Sequence, residues 1–301
     1  MADDKKNYLI FQCYGNTSIL MECAFALLSL QDLYGESLPS GLEIWIYTDN
    51  PDWFRSFKEC RLPLNFRQID AETIKSWRGK IDFTHRLKIE LLRDFSQNHT
   101  GNLLYCDSDV VFQRRLEPIF SNIGGGELYM HTMEGQIGKS SSPVLKKLNK
   151  HFAGRKAAND ILISEFAMWN AGVLGFCTAY KHLLEEALQF TDTEYPVYPK
   201  HIVEQFAFSL FFQQQKQIKS AEHTIIHYWN LKELRSILNS FFNYFKTASW
   251  PELVQYHRLI NVPVLMQEKA NFYKNRSIKH KLLKQNWTPS LPDWERKLTE
   301  M

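Results

Sequence analysis

The chain has 301 residues, 44% of them hydrophobic and 23% charged, with a formal net charge of +3. That length suits one large α/β domain or two small ones. So small a basic excess gives no global footprint for nucleic acid. Aromatic residues make up 14% of the chain; Tyr and Trp suit stacking on bases and sugar rings, but Phe is the commonest, so much of the excess is expected in the core. The five cysteines, Cys13, Cys23, Cys60, Cys106 and Cys177, are scattered and form no CxxC pair. They read as reduced thiols of a cytoplasmic protein, neither a disulfide framework nor a zinc site. Met1 to Asn7 is charged and lacks the apolar run of a secretory leader. No stretch approaches the ~20 apolar residues of a spanning helix. Sequons at Asn16, Asn98, Asn275 and Asn286 are expected to be chance matches.

Tyr8 to Cys13 is a short apolar run that predicts a buried first strand. Tyr14-Gly15-Asn16 is turn chemistry, and Ser18 is placed to cap a helix through Leu33. Glu43 to Tyr47 predicts a second strand ending at Thr48-Asp49-Asn50-Pro51, and Leu64 to Ile69 a third. Thr84 to Phe95 has the spacing of an amphipathic helix. Asn102 to Tyr105 predicts a fourth strand, followed by Cys106-Asp107-Ser108-Asp109 and the apolar Val110 to Phe112. Alternating strands and helices argue for a largely parallel sheet with right-handed crossovers. Ligands in such sheets sit beyond the carboxyl ends of the strands, where Tyr14, Thr48-Asp49 and Asp107-Asp109 all fall.

The second half is less regular. Glu127 to Thr132 predicts a strand, Lys139 to His151 a serine-rich turn leading into a basic helix, Val203 to Phe212 a buried helix, and Thr224 to Trp229 a strand with a polar end. Composition shifts after about Leu259. Lys269, Lys274, Arg276, Lys279, Lys281 and Lys284 then follow without an acid among them. Phe272, Tyr273, Leu282 and Leu283 are interleaved, so the stretch suits either a solvated helix or a face against an anionic membrane.

Asp107-Ser108-Asp109 is a common tripeptide, and its setting is what matters. Charged groups beside a buried strand need partners. Two carboxylates held close repel one another and bind a divalent cation well. The plain alternative is a capping aspartate with a surface ion pair. No G-x-G-x-x-G follows the first strand, so dinucleotide chemistry is not indicated, and no P-loop is present.

The run Leu103-Leu104-Tyr105-Cys106-Asp107-Ser108-Asp109-Val110-Val111-Phe112 resembles the DxD segment of GT-A glycosyltransferases. The ordered set around it is similar to that superfamily over roughly residues 7 to 230. It comprises Asn16, Tyr47-Thr48-Asp49, His85-Arg86-Leu87-Lys88, Trp169-Asn170-Ala171-Gly172-Val173-Leu174-Gly175-Phe176, Glu204-Gln205 and His227-Tyr228-Trp229. The resemblance implies a GT-A (Rossmann-like) α/β fold with a mixed, mainly parallel sheet flanked by helices. Residues 1–258 would form the catalytic domain, and residues 259–301 a basic, helical C-terminal extension.

The implied activity is metal-dependent transfer of a sugar from a nucleotide-diphosphate donor, UDP- or GDP-sugar, to a glycan or glycolipid acceptor. The implied cofactor is Mn2+ or Mg2+. Asp109 would bind the metal directly, Asp107 the metal or the ribose hydroxyls, and His227 would be a third ligand through a neutral imidazole. A structural histidine at a strand end is the other reading of His227. His85, His99, His131, His201 and His257 have weaker claims. Tyr14, Asn16, Thr48 and Asp49 would contact base and ribose, although Asn16 also suits plain turn chemistry. Ser108 would lie on the donor. One of Arg86 and Lys88 would reach the phosphates, the other being a solvated helix-face residue. Asn170, Ala171 and Gly172 would let the backbone approach the sugar. Glu204, with Gln205, would be the catalytic pair, unless Glu204 is only a first-turn helix acid; Asp160 and Glu165 are rival acids. Retaining and inverting outcomes both stay open. The expected location is the cytoplasm, including the inner membrane face if the basic tail docks there. The alternatives are a non-catalytic nucleotide-sugar or carbohydrate-binding module and, more remotely, a sugar-nucleotide pyrophosphorylase, whose glycine-rich loop is missing at Cys13-Tyr14-Gly15-Asn16.

Overall fold

The computed structural model describes residues 6–35, 38–157, 160–275 and 286–300. From the N-terminus the elements are β1 (Asn7–Gln12), α1 (Thr17–Tyr34), β2 (Leu42–Thr48), α2 (Pro51–Arg55), β3 (Leu64–Gln68), α3 (Ala71–Arg78), α4 (Arg86–Asn98) and β4 (Asn102–Cys106). Next come β5 (Val110–Phe112), α5 (Glu117–Gly124), β6 (Leu128–Met130), β7 (Met133–Gln136), α6 (Pro143–His151), β8 (Ala167–Trp169) and β9 (Val173–Cys177). The rest of the chain gives α7 (His182–Glu194), α8 (Ile202–Gln215), β10 (Ile218–Ser220), β11 (Ile225–His227), α9 (Leu234–Tyr244), α10 (Trp250–Tyr256), α11 (Val262–Asn275) and a short last helix, Trp294–Thr299.

Seven strands form the main sheet in the order β10-β6-β9-β4-β1-β2-β3. Every neighbouring pair is parallel except the two made by β9. The fold is therefore a mixed α/β sheet, mainly parallel and flanked by helices. Two small antiparallel ribbons, β5 with β11 and β7 with β8, lie beside it.

Alternation along the strands divides the core in two. Leu9, Phe11, Leu104 and Cys106 face a cluster with α1, α5, α9 and α10. Tyr8, Ile10, Leu103 and Tyr105 face the other, built from α4, α7 and α8. Helix α1 is buried along most of its length, from Leu20 to Leu30, which is why its sequence is apolar nearly all round. Its cap is Asn16 rather than Ser18: the Asn16 side chain accepts the Ser18 N–H at 2.9 Å. The carboxamide reaches the first free donors from outside the helix, whereas Ser18 already lies in the first turn.

Four of the five cysteines are buried and all five are free. After residue 258 the chain continues into the first of these cores. Ile260, Val262, Trp287 and Trp294 pack there, and the Trp294 ring meets Phe241 and Phe245 edge-on. Lys269 is bound by Glu233 and the Asn230 carbonyl. Arg276, Lys279, Lys281, Leu282, Leu283 and Lys284 lie outside the described residues. No helix among the described residues is long and apolar enough to cross a membrane.

Candidate active site

Sheet topology gathers distant residues at one edge. Strands β1, β2 and β4 run parallel and end together at Tyr14, Thr48-Asp49 and Asp107. Strand β9 runs against β4 with Val173 opposite Cys106. Asn170-Ala171-Gly172 therefore arrives at that same edge, and the Asp107 N–H donates to the Gly172 carbonyl at 2.8 Å. Strand β11 pairs with β5 so that His227 stands opposite Val110, next to Asp109. Helices α4 and α8 each lead into a strand parallel to β1. Their first turns, with Lys88 and Glu204, thus open at the carboxyl edge.

Asp107, Asp109 and His227 bring three ligand atoms within 4.8 Å of one another. His227 Nε2 is 3.0 Å from Asp109 Oδ1 and 3.7 Å from Asp107 Oδ2. Asn170 fixes the ring. Its Oδ1 accepts from the Gly172 N–H at 2.9 Å and lies 2.8 Å from His227 Nδ1, while its Nδ2 donates to Glu134 at 3.0 Å. That network places a proton on Nδ1 and turns Nε2 toward two carboxylates, where it donates to Asp109 when the ring is protonated and offers a lone pair to a cation when it is neutral. Three acceptor groups converging in this way fit a divalent cation.

Gly172 is part of the same arrangement, because a Cβ there would lie 2.1 Å from the His227 ring. Gly172→Ala is expected to displace the imidazole and weaken Mn2+ binding about 10-fold or more. Mn2+ titration followed by electron paramagnetic resonance measures this, and unchanged affinity would remove His227 from the ligand set.

The negative charge is compensated inside the protein. Lys232 Nζ lies 2.9 Å from Asp109 Oδ2. Burial alone would raise the Asp109 carboxyl, but the hydrogen bond and charge of His227, together with Lys232, outweigh it and hold the group below the ordinary aspartate range. The Tyr105 hydroxyl donates to Asp107 Oδ1 at 2.6 Å. Lys88 Nζ is 3.3 Å from both Asp107 and Glu204 and donates to the Ala171 carbonyl at 2.9 Å. Burial opposes its charge, and the two carboxylates more than offset that opposition. Glu204 is 2% exposed; burial pushes its carboxyl up to about 7, with Lys88 pulling down and Asp107 adding to the rise. Gln205 Nε2 donates to Glu134 at 2.9 Å, so Glu134 joins Gln205 to Asn170 and through it to His227. The edge thus combines three residues that could hold a cation, a buried carboxyl raised to about 7 and a row of amides.

The chain as a whole is similar to solved glycosyltransferases. The galactosyltransferase LgtC, solved with donor and acceptor sugar analogues, is 13% identical, with 68% of this chain and 70% of that chain covered and a TM-score of 0.46. Mouse xyloside xylosyltransferase 1 in its apo form is 13% identical over 71% of this chain and 84% of that one, with a TM-score of 0.47. Apo GlyE of Streptococcus pneumoniae TIGR4 is 16% identical over 83% and 62%, with a TM-score of 0.48. No protein-family model and no curated protein sequence matches the chain.

The other sequence-derived site residues fall in two groups. Tyr14 is half-buried at the end of β1, and the exposed Asp49 carboxylate accepts the Gly15 N–H at 3.0 Å. Thr48 is buried, and its hydroxyl accepts the Asn50 N–H. Ser108 is buried between the two aspartates, and Asn16 is occupied in capping α1.

Arg86 is neither a solvated face residue nor placed with the cluster. It is 9% exposed and spends its guanidinium on Asp192, Glu90 and the Trp77 carbonyl, joining α4 to α7. Arg86→Ala is therefore expected to lower the melting temperature while leaving the nucleotide affinity of the folded protein unchanged; a selective loss of affinity would return Arg86 to the donor.

Lys232 and Glu134 escape a sequence reading, while Tyr105 reads only as part of the strand before Asp107 and His131 only as a lesser ligand candidate. Lys232 lies five residues beyond His227 with no periodicity to mark it, and Glu134 sits in a short irregular ribbon. His131 is buried, with its imidazole pushed down to about 4 by burial first and by His227 second, and its Nε2 accepts the His227 backbone N–H.

Proposed function

We propose that the chain is a metal-dependent glycosyltransferase that moves a sugar from a nucleotide-diphosphate donor, UDP- or GDP-sugar, to a glycan or glycolipid acceptor. One observation carries this reading: the convergence of Asp107, Asp109 and His227 at the carboxyl edge of a mainly parallel sheet, beside the buried Glu204–Lys88 pair. These three side chains would hold the cation, and a mixed carboxylate–imidazole set favours Mn2+ over Mg2+, which takes oxygen ligands. When bound, the ion supplies Lewis-acid stabilisation of the departing nucleotide diphosphate.

The protein's own groups supply the rest. Tyr14 offers a ring face for the base at the end of β1, and Asp49 a carboxylate for the ribose hydroxyls. Thr48 is fully buried and would support this edge from beneath, and Ser108 would lie on the donor. The backbone of Asn170, Ala171 and Gly172 lets the sugar approach closely. Lys88 places positive charge between Asp107 and Glu204, where phosphate or sugar oxygens would lie. Glu204 is partly protonated near neutral pH, so it can exchange a proton with a sugar hydroxyl or support positive charge developing on the ring. Gln205 presents its carboxamide from the same helical turn. Residues 1–258 carry this chemistry in the reading; residues 259–301 are a basic extension that allows peripheral contact with the inner face of a membrane in a cytoplasmic protein.

A thermal-shift screen of UDP-, GDP-, CMP- and dTDP-sugars with and without Mn2+ tests the reading, followed by turnover on a panel of saccharide acceptors. The expected result is a Mn2+-dependent shift with one nucleotide class and transfer to an acceptor. Mn2+-dependent binding without turnover would favour a binding module, and no nucleotide-specific shift would sink the proposal.

A further inference from the structure

A cavity lies at the opposite edge of the main sheet from the carboxylate cluster, where β1, β2 and β4 begin. It measures about 670 Å3 and is lined in part by Asn7, Tyr34, Leu42, Asn102, Glu117 and Phe120. That is within the range of small-molecule sites. Strand β4 is five residues long, so at ~3.3 Å per residue this cavity is roughly 15 Å from the carboxylate cluster at the strand's other end.

Its wall contains an unanswered polar group. Asn102 is 5% exposed. Its Nδ2 donates to Asn7 Oδ1 at 2.9 Å, while its Oδ1 has no hydrogen-bond partner. A buried carboxamide oxygen left in this way is costly, and a donor from outside the protein would satisfy it. Glycine at position 124 leaves the amide without a covering side chain there: a Cβ would come within 3.3 Å of Asn102 Nδ2 and 3.7 Å of its Oδ1.

The remaining chemistry narrows the ligand. Glu117 presents a carboxylate, oriented by the Tyr34 hydroxyl at 2.7 Å, and Ser40 and Ser121 add hydroxyls. Leu42 and Phe120 give an apolar wall. No Lys or Arg is among the described lining residues, and the nearby Arg115 guanidinium lies over the Tyr34 ring, so the lining itself presents acceptors and no cation to an anion. Acceptors beside an apolar wall suit a ligand rich in hydroxyl donors with C–H faces. We propose that this cavity is a second, non-catalytic binding site for a neutral saccharide of about disaccharide size. The inference stands on the cavity alone and does not require the proposed transferase activity.

Saturation-transfer NMR and calorimetry on the full chain, with lactose, maltose and cellobiose as probes and putrescine as a cationic control, test it. Ser121 is exposed on α5 at the cavity, so Ser121→Trp should fill the site without disturbing the core. At least one sugar is expected to bind wild type and Asp109→Ala alike and to bind Ser121→Trp at least 10-fold more weakly. Three results overturn the proposal: no sugar of the panel binds; binding is lost in Asp109→Ala but kept in Ser121→Trp, which places the sugar at the metal edge; or putrescine alone binds. Circular dichroism of Ser121→Trp separates blockage from misfolding, and Ser40→Trp, across the same cavity, should reproduce the loss.

Discussion

Asp109→Ala is expected to abolish Mn2+-dependent binding of a nucleotide diphosphate while the protein stays folded. Asp109 is 7% exposed and is the carboxylate nearest His227, so its loss leaves two of three ligands. The effect on metal affinity should be about 100-fold or more, exceeding that of removing a supporting partner. The fold should tolerate the change because the contact that seats this segment is made by backbone: the Tyr228 N–H donates to the Asp109 carbonyl at 3.0 Å. Lys232 is more than half exposed and can turn to water. Calorimetry of UDP with and without Mn2+ measures the loss, and an unchanged metal dependence would end the ligand assignment.

The same variant carries a pH signature. The folded-state pKa of Asp109 is depressed, so its ionised form stabilises the protein above the ordinary aspartate pKa, and that contribution is lost as pH falls. The stability gap between wild type and variant should therefore narrow below about pH 4.

Lys88→Met is expected to cost about 3–5 kcal/mol of stability at pH 8 because it strips the cation from a buried carboxylate. Lys88 is the positive charge 3.3 Å from Glu204. The Glu204 carboxyl is already raised to about 7 with Lys88 present, and it rises further without it. A raised carboxyl stabilises the fold fully below the unfolded-state value of 4.5. That contribution is lost as pH rises through the folded value, because only the unfolded chain releases its proton easily. Lys88→Met should accordingly be much less damaging near pH 5.5 than at pH 8, and adding Glu204→Gln should recover part of the loss. Urea denaturation at the two pH values reads both effects. Equal destabilisation at each would mean that the cost is lost packing along the lysine stem.

Much of the sheet was legible because its strands are short apolar runs closed by turn residues. Tyr8 to Cys13, Glu43 to Tyr47 and Asn102 to Tyr105 correspond to β1, β2 and β4, and the parallel order follows from the helices between them. The tripeptide at 107–109 could be placed at a strand end for the same reason. Ribbon pairings were not legible. Nothing local in Ile225 to His227 states that it will pair antiparallel with Val110 to Phe112, since three-residue strands carry almost no pattern. Ionic partners were equally hidden: Lys232 and Glu134 act through positions reached only after the chain has folded back. Arg86 and Lys88 look alike in sequence, two residues apart on one helix, yet that spacing turns them to different neighbours, Asp192 for one and Asp107 for the other.

The Asp109–His227 contact spans 118 residues, and this has a bearing on biosynthesis. A chain emerging from the ribosome presents both aspartates long before the imidazole exists, and loop closure over such a separation comes after local structure has formed. Nascent or truncated chains that stop before β11 would carry the acidic tripeptide without a three-ligand site. Tight metal uptake would then mark chains that extend past β11, and Mn2+ protection against proteolysis would be absent from fragments ending before residue 225.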